Sequence, residues 1–150
     1  MSLIEDKLNR LGIKLEPAQA PVANYLSTKR MGEFLYVSAR VSELKGVAGD
    51  DVSEEQAKKA ARDTVVLLLA IIKKDILDLD SIAGVIKLQG FIRSSPNFTR
   101  QPQVLDGASE LLIELFGENG RHARTATGVN QLPFGSVVQF DLLLHVQKTP

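Results

Sequence analysis

The chain has 150 residues, in which 18 Lys and Arg balance 18 Asp and Glu, with two His and no Cys. The length fits a single domain over residues 1–150, and the sequence lacks the clustered basic residues of a nucleic-acid-binding surface. A chain without Cys has no disulfide, no thiolate-bound metal and no thiol nucleophile. There is no signal-peptide pattern, and the longest apolar run, 65–72, is far shorter than a membrane span of about 20 residues, so we expect a cytoplasmic protein without membrane contact.

Hydrophobic periodicity and turn residues predict eight helices and strands. In chain order they are a short helix that ends at Gly12, strands over 24–29 and 34–38, a long helix that begins after Ser53, a strand over 85–93, a helix with Pro102 in its first turn, and strands over 121–129 and 136–147. Capping-box spacing marks two of the helix starts, Ser2 with Glu5 and Ser53 with Gln56.

Alternation along the later strands predicts which side chains face the core. In the strand over 85–93 the buried face is predicted to carry Ile86, Leu88, Gly90 and Ile92. In the last strand Val138, Phe140, Leu142, Leu144 and Val146 share one face, and Gln139, Asp141 and His145 lie on the other.

The order of the elements predicts an α+β fold. A β-β-α-β-α-β-β chain with an added N-terminal helix forms a mixed sheet with two helices on one face. The other face carries polar side chains, and no further segment of the chain is left to cover it. We therefore expect a subunit interface on that face.

Few residues suggest chemistry by pattern alone. His122 and His145 are the only histidines and lie in different strands, whereas metal sites need several converging ligands, so we predict no metal site and no cofactor. Arg124 is unusual because it lies in a strand of small residues, and its planar fork fits a carboxylate. On composition alone, an Arg at a sheet edge or in a salt bridge between subunits is the favoured interpretation.

The segment that contains Arg124 carries a recognisable motif. Arg-Thr-x-x-x-Val-x-x-Leu-Pro, from Arg124 to Pro133, resembles the signature of the RidA/YjgF family of reactive-intermediate enamine/imine deaminases, also labelled "endoribonuclease L-PSP". Other segments resemble that family in order and spacing: 20–25, 34–38, 91–98 and 104–116. The N-terminal stretch from Leu3 to Gly12 is similar to a subgroup with an extra helix.

The resemblance implies a fold, an assembly and a reaction. Family members are similar to chorismate mutase in fold, form homotrimers and hold small carboxylate ligands in clefts between subunits. They hydrolyse 2-aminoacrylate and related imines to a 2-keto acid and ammonia. By position, the family's carboxylate-binding Arg corresponds to Arg124 and its water-orienting acidic residue to Gln139, and the remaining substrate-binding positions correspond to Tyr25, Ser38, Asp106 and Ala126.

Five positions depart from the family pattern. Ser-Gly-Gln is replaced by Ser38-Ala39-Arg40, the usual Cys by Ala126, and the helix Asn by Asp106. Gln139 replaces the Glu, and an amide oxygen can accept a hydrogen bond from water but cannot take its proton.

These departures leave more than one function open. One is imine hydrolysis with Arg124 on the carboxylate and a water aligned by Gln139 or Ser38. The alternative is a keto-acid-binding or sensing trimer with little turnover, which Gln139 favours. An endoribonuclease is the poorest fit, because the net charge is zero and no pair of His is placed for acid–base chemistry.

Overall fold

Five strands and three α-helices follow the predicted order in the computed structural model, which describes residues 2–147. The elements are α1 (Leu3–Arg10), β1 (Thr28–Met31), β2 (Phe34–Val41), α2 (Glu54–Ile76), β3 (Ile82–Arg93), α3 (Gln101–Phe116), β4 (Ala123–Val129) and β5 (Val138–Val146). Short 3₁₀ turns precede β3, follow α3 and precede β5.

Side-chain caps begin two of the helices, as their spacing predicts. The Ser53 hydroxyl accepts the Gln56 N–H at 3.1 Å, and the Gln56 side chain accepts the Ser53 N–H at 2.9 Å. Ser2 and Glu5 form the same reciprocal pair at the start of α1. Since each cap satisfies N–H groups that have no partner inside the helix, these two boundaries are fixed locally.

The strands form one mixed sheet in the order β1-β2-β5-β3-β4. Only β3 and β4 run parallel; the other neighbours are antiparallel. The predicted inward-facing side chains of β5 are buried beside the core of α2 and α3, with Phe140 and Val138 fully inaccessible. The α+β arrangement predicted from the order of the elements is confirmed.

Two local predictions are wrong. Ile86 is half-buried, while Val85 and Leu88 are buried, because a bulge between Val85 and Lys87 interrupts the alternation of β3 against β5. The first strand begins at Thr28, later than predicted, so Tyr25 lies in the preceding loop.

The face of the sheet opposite the helices carries both apolar and polar groups. Phe34 and Tyr36 on β2 are about half exposed, at 47% and 54%. They pair with His145 and Leu143 of β5, and Gln139 and Asp141 continue the same face along that strand. We call this surface the open face. Within residues 2–147, no helix combines the length and hydrophobicity needed to cross a membrane.

Candidate functional site

Arg124 lies on β4, the edge strand beside β3, and points toward α3. It is opposite Leu88, a core residue, so its side chain leaves the sheet on the helical side. Nη1 donates to Asp106 Oδ1 at 2.7 Å and to the Ser109 hydroxyl at 3.2 Å, and Nη2 donates to the Pro102 carbonyl at 3.2 Å. The side chain is 23% exposed, so part of the guanidinium stays accessible.

The interpretation of Arg124 as an Arg at a sheet edge is therefore confirmed. The residue is on a sheet edge, but its carboxylate partner, Asp106, belongs to the same chain. The Asp106 side chain is 41% exposed, so the pair lies at the surface of the chain. Asp106 compensates the charge of Arg124 and fixes the direction of the fork.

Ser109 and His122 extend this arrangement and were not predicted from sequence. His122 Nδ1 lies 2.7 Å from the Gly120 carbonyl, which can only accept, so Nδ1 carries a hydrogen and donates it to that carbonyl. Nε2 forms a hydrogen bond of 2.9 Å with the Ser109 hydroxyl, and the same hydroxyl accepts from Arg124. The available signal was spacing: Ser109 is one helical turn after Asp106, and His122 precedes Arg124 by two residues.

Ala126 follows Arg124 on the same side of β4, opposite Gly90. A Cβ built on Gly90 would lie 2.5 Å from a methyl of Leu105, so the helix packs tightly on the sheet at this point. This close packing holds α3, and with it Asp106, directly above the edge strand.

Tyr25 and Ser38 form a second cluster at the other end of the sheet, together with Arg40. The Ser38 hydroxyl donates to the Leu26 carbonyl at 2.6 Å, and the Arg40 guanidinium carbon lies 5.9 Å from the centre of the Tyr25 ring. A bulge in β2 between Val37 and Arg40 breaks the register here. Such bulges redirect side chains, which is how β2 brings Ser38 and Arg40 to the same loop.

Gln139 occupies a third position, on the open face of β5. It is half-buried and opposite Phe91 of β3. Asp141, two residues along, shares this face; burial raises the pKa of its carboxyl, and the Lys87 ammonium acts in the opposite direction. Asp141 is the only acidic residue on β5, and it lies close to Gln139.

A single chain does not bring the six predicted residues together. Ser38 on β2 and Arg124 on β4 are separated by three strand spacings, about 14 Å, and Gln139 lies on the opposite face of the sheet from Arg124. A cavity of about 410 Å³ lies between residues 12–19 and α2, and none of the six lines it. Within residues 2–147 there is also no group of three His, Asp or Glu placed to hold a metal.

Comparison with known proteins identifies relatives of this chain. The family model described as "YjgF/chorismate_mutase-like, putative endoribonuclease" matches residues 5–145. Protein TCP17 of Trypanosoma cruzi is 40% identical over 146 residues, which cover 93% of this chain and 91% of that protein.

Two solved structures share the fold over nearly the whole chain. The protein Atu1372 of Agrobacterium tumefaciens, described as having unknown function, is 38% identical with a TM-score of 0.90, over 97% of this chain and 93% of that one. A "putative endoribonuclease" of Shewanella oneidensis is 28% identical with a TM-score of 0.91, over 95% and 99%. With the Arg124 motif on an edge strand, a five-stranded mixed sheet and a match over residues 5–145, the chain belongs to the YjgF/RidA family.

Proposed function

We propose that the chain hydrolyses small enamine and imine intermediates of the 2-aminoacrylate type to 2-keto acids and ammonia. The observation that carries the proposal is Arg124, a partly exposed guanidinium that Asp106, Ser109 and the Pro102 carbonyl hold in one orientation. A fixed planar fork is suited to bidentate binding of the ligand carboxylate.

The proposed pocket lies between copies of the chain. Arg124 and the Tyr25–Ser38 cluster are too far apart in one chain to contact one small molecule, so a second copy must supply one of the two halves. A homotrimer, which the family resemblance implies, provides such clefts. The open face, with Phe34 and Tyr36 exposed, is the surface available to be covered.

The chemistry requires a water molecule to attack the imine carbon. An enamine such as 2-aminoacrylate first becomes the imine by moving a proton from nitrogen to its terminal carbon. Arg124 binds the carboxylate beside the imine carbon, the water oxygen adds to that carbon and both water protons pass to the nitrogen. The C–N bond then breaks, so that ammonia leaves and the carbon becomes the ketone of the keto acid. Gln139 from the open face can orient the water through its amide oxygen but cannot accept its proton. Because a general base contributes roughly 10²–10⁴-fold, we expect turnover to be slow.

Gln139 also favours a second candidate function. If hydrolysis is negligible, the same pocket would bind keto acids without turning over a substrate and would serve as a small-molecule sensor. Both functions use Arg124 in the same way, so they differ only in the rate of the chemical step.

The experiment is to generate 2-aminoacrylate enzymatically and to measure ammonia and pyruvate release with and without this chain. The expected result is a release rate above the spontaneous one that is lost in an Arg124→Ala variant. Pyruvate binding without acceleration would replace the hydrolase by the sensor. If the chain neither accelerates release nor binds pyruvate, that result contradicts the carboxylate pocket itself.

A further inference from the structure

Arg40 is a buried cation whose charge the described chain does not compensate. Only 8% of the surface of this residue is exposed to solvent. Nη1 donates to the Ala20 carbonyl at 3.4 Å and Nη2 to the Ser27 hydroxyl at 3.1 Å, and both acceptors are neutral. Nε is buried without a hydrogen-bond partner, and no carboxylate lies within ion-pair distance among residues 2–147.

Burying an uncompensated guanidinium is costly. Arginine keeps its proton at any physiological pH, so the charge cannot be removed by titration. Neutral hydrogen bonds and the Tyr25 ring face, 5.9 Å away, offset only part of the lost hydration. An anion that reaches Arg40 would form the charged contact that the described chain does not provide.

The position of Arg40 indicates which anion would reach it. Arg40 contacts Tyr25 and belongs to the same β2 bulge as Ser38, so it lies in the half of the proposed pocket opposite to Arg124. Arg124 already has Asp106 as a partner. A ligand whose single carboxylate binds Arg124 would therefore leave Arg40 unpaired at the far end of the pocket.

Building on the proposed function, we propose that Arg40 binds a second acidic group of the ligand and that the site selects 2-imino and 2-keto dicarboxylates over monocarboxylates. Arg124 takes the carboxylate next to the reacting carbon, and Arg40 takes the terminal carboxylate. Arg40 is thus the residue that determines specificity, and its role is binding rather than proton transfer.

Matched ligand pairs test this selection. Calorimetric titration of the full chain compares oxaloacetate, 2-oxoglutarate and 2-oxoadipate, each with the monocarboxylate in which a methyl replaces the terminal carboxylate. For the best-fitting length we expect the dicarboxylate to bind at least about tenfold more tightly, the usual size of a charged hydrogen-bonded contact. In Arg40→Gln the two ligands of a pair should bind about equally, while the affinity for the monocarboxylate stays within about twofold of that of the unmodified chain. Arg40→Lys should retain part of the preference for the dicarboxylate.

Arg30→Gln is the matched control. It removes the same charge from the neighbouring strand, where the exposed Arg30 donates to the carbonyls of Gly32 and Gln147, and it should leave the ratio unchanged.

The outcomes separate this inference from the proposed function. Equal binding of both ligands of every pair by the unmodified chain would overturn the role of Arg40 while the carboxylate pocket stands. If Arg40→Gln binds neither the dicarboxylate nor the monocarboxylate, and Arg40→Lys does not restore binding, Arg40 only anchors the loop over residues 20–27. Binding of neither ligand class to the unmodified chain would contradict the proposed function. If Arg40→Gln fails to fold, the ratios of the unmodified chain and of Arg40→Lys decide.

Discussion

Arg124 shares its fork with Asp106, and this shared fork sets how the residue can bind a ligand. Nη1 is occupied by Asp106 and Ser109, so an incoming carboxylate must share the guanidinium with the carboxylate of Asp106. A family member with Asn at this place would have no such competition. The ion pair therefore orients Arg124 and at the same time lowers the net positive charge available to the proposed carboxylate ligand.

Replacing Arg124 tests whether it binds carboxylates. We expect Arg124→Ala to weaken pyruvate binding at least about tenfold, because a charge-assisted hydrogen bond contributes about 1.5–3 kcal/mol. Arg124→Lys should restore only part of the affinity, since an ammonium cannot reproduce the fork. Titration calorimetry measures both, and circular dichroism checks that the fold is retained.

Arg121 provides the control for Arg124. It precedes β4, is exposed and, among residues 2–147, forms a salt bridge only with Glu118 at 3.2 Å, so Arg121→Ala should bind pyruvate as the unmodified chain does. Unchanged pyruvate affinity in Arg124→Ala would mean that Arg124 is only a structural ion pair with Asp106.

Gln139 determines the expected rate of the chemical step. Gln139→Glu should raise imine hydrolysis, by up to the roughly 10²–10⁴-fold that a general base contributes, because a carboxylate can take the proton of the attacking water. Keto-acid binding should stay similar or weaken slightly, since a second negative charge enters the pocket. Ammonia release under single-turnover conditions measures the change.

Two results would count against the role of Gln139. High activity of the unmodified chain would mean that an acidic residue at 139 is dispensable, with Asp141 on the same face as the candidate substitute. No gain in Gln139→Glu despite intact binding would favour the sensor.

At the scale of the elements, α1 is held by two carboxylates. Asp80, in the turn before β3, accepts the N–H groups of Leu3 at 2.8 Å and of Ile4 at 3.0 Å, and Glu5 pairs with Lys73 of α2. Burial raises the pKa of Asp80, but the hydrogen bonds from Ile4 and Leu3 outweigh it, so the pKa is lowered. The hydrogen bond from Lys73 lowers the pKa of Glu5.

These lowered pKa values predict that α1 detaches in acid. A carboxyl whose pKa is lower in the folded state stabilises above its unfolded value, near 4, and the stabilisation is lost as the pH falls through the folded value. Hydrogen exchange of residues 3–10, corrected for the intrinsic rate, should therefore increase below about pH 4, before the sheet exchanges.

Asp80→Asn should mimic this acid effect at neutral pH. We expect protection of residues 3–10 to fall by about tenfold, since the variant loses two charge-assisted hydrogen bonds. Asp63→Asn, which alters only a surface pair with Lys59, should leave that protection unchanged. Equal protection in Asp80→Asn would show that Asp80 does not hold the helix and that the Glu5–Lys73 pair and the packing of Ile4 and Leu8 are sufficient.

Local signals explain which elements the sequence predicted correctly. Ser2, Ser53 and Gly117 end or begin helices through contacts within a few residues, so their positions follow from the sequence. The bulges in β2 and β3 depend on pairing with β5, which is distant in sequence, and the bulge in β3 is the reason why the prediction for Ile86 is wrong.

The sequence motif predicted which residues belong to the candidate site, but not the contacts that those residues make. The Arg124 motif located one half, yet the pairing with Asp106 and the hydrogen bonds through Ser109 and His122 depend on how α3 lies over β4. Likewise, Arg40 is the third residue of an altered Ser38 motif, and only the fold shows that it is buried without a carboxylate.

At the scale of the whole molecule, the sheet separates the three parts of the proposed site. Arg124 is at the β4 edge on the helical side, the Tyr25–Ser38 cluster is at the β1–β2 end, and Gln139 is on the open face. A pocket that uses all three therefore needs more than one copy. The open face carries exposed Phe34 and Tyr36 next to half-buried Asp141, which suits an interface with both apolar and polar contacts.

Assembly is thus the prediction on which the pocket depends. We expect the unmodified chain to be a homotrimer by light scattering at micromolar concentration. Tyr36→Glu should dissociate it, because burying an unpaired carboxylate in an interface is strongly unfavourable, whereas the single chain should fold since Tyr36 is 54% exposed. Leu77→Glu, at a more exposed hydrophobic position just beyond the end of α2, should remain trimeric. The dissociated variant should also lose pyruvate binding, because its half-sites no longer meet. A monomeric unmodified chain would contradict the assembly, a trimeric Tyr36→Glu would place the interface elsewhere, and a monomer that still binds pyruvate would show that one chain forms the site alone.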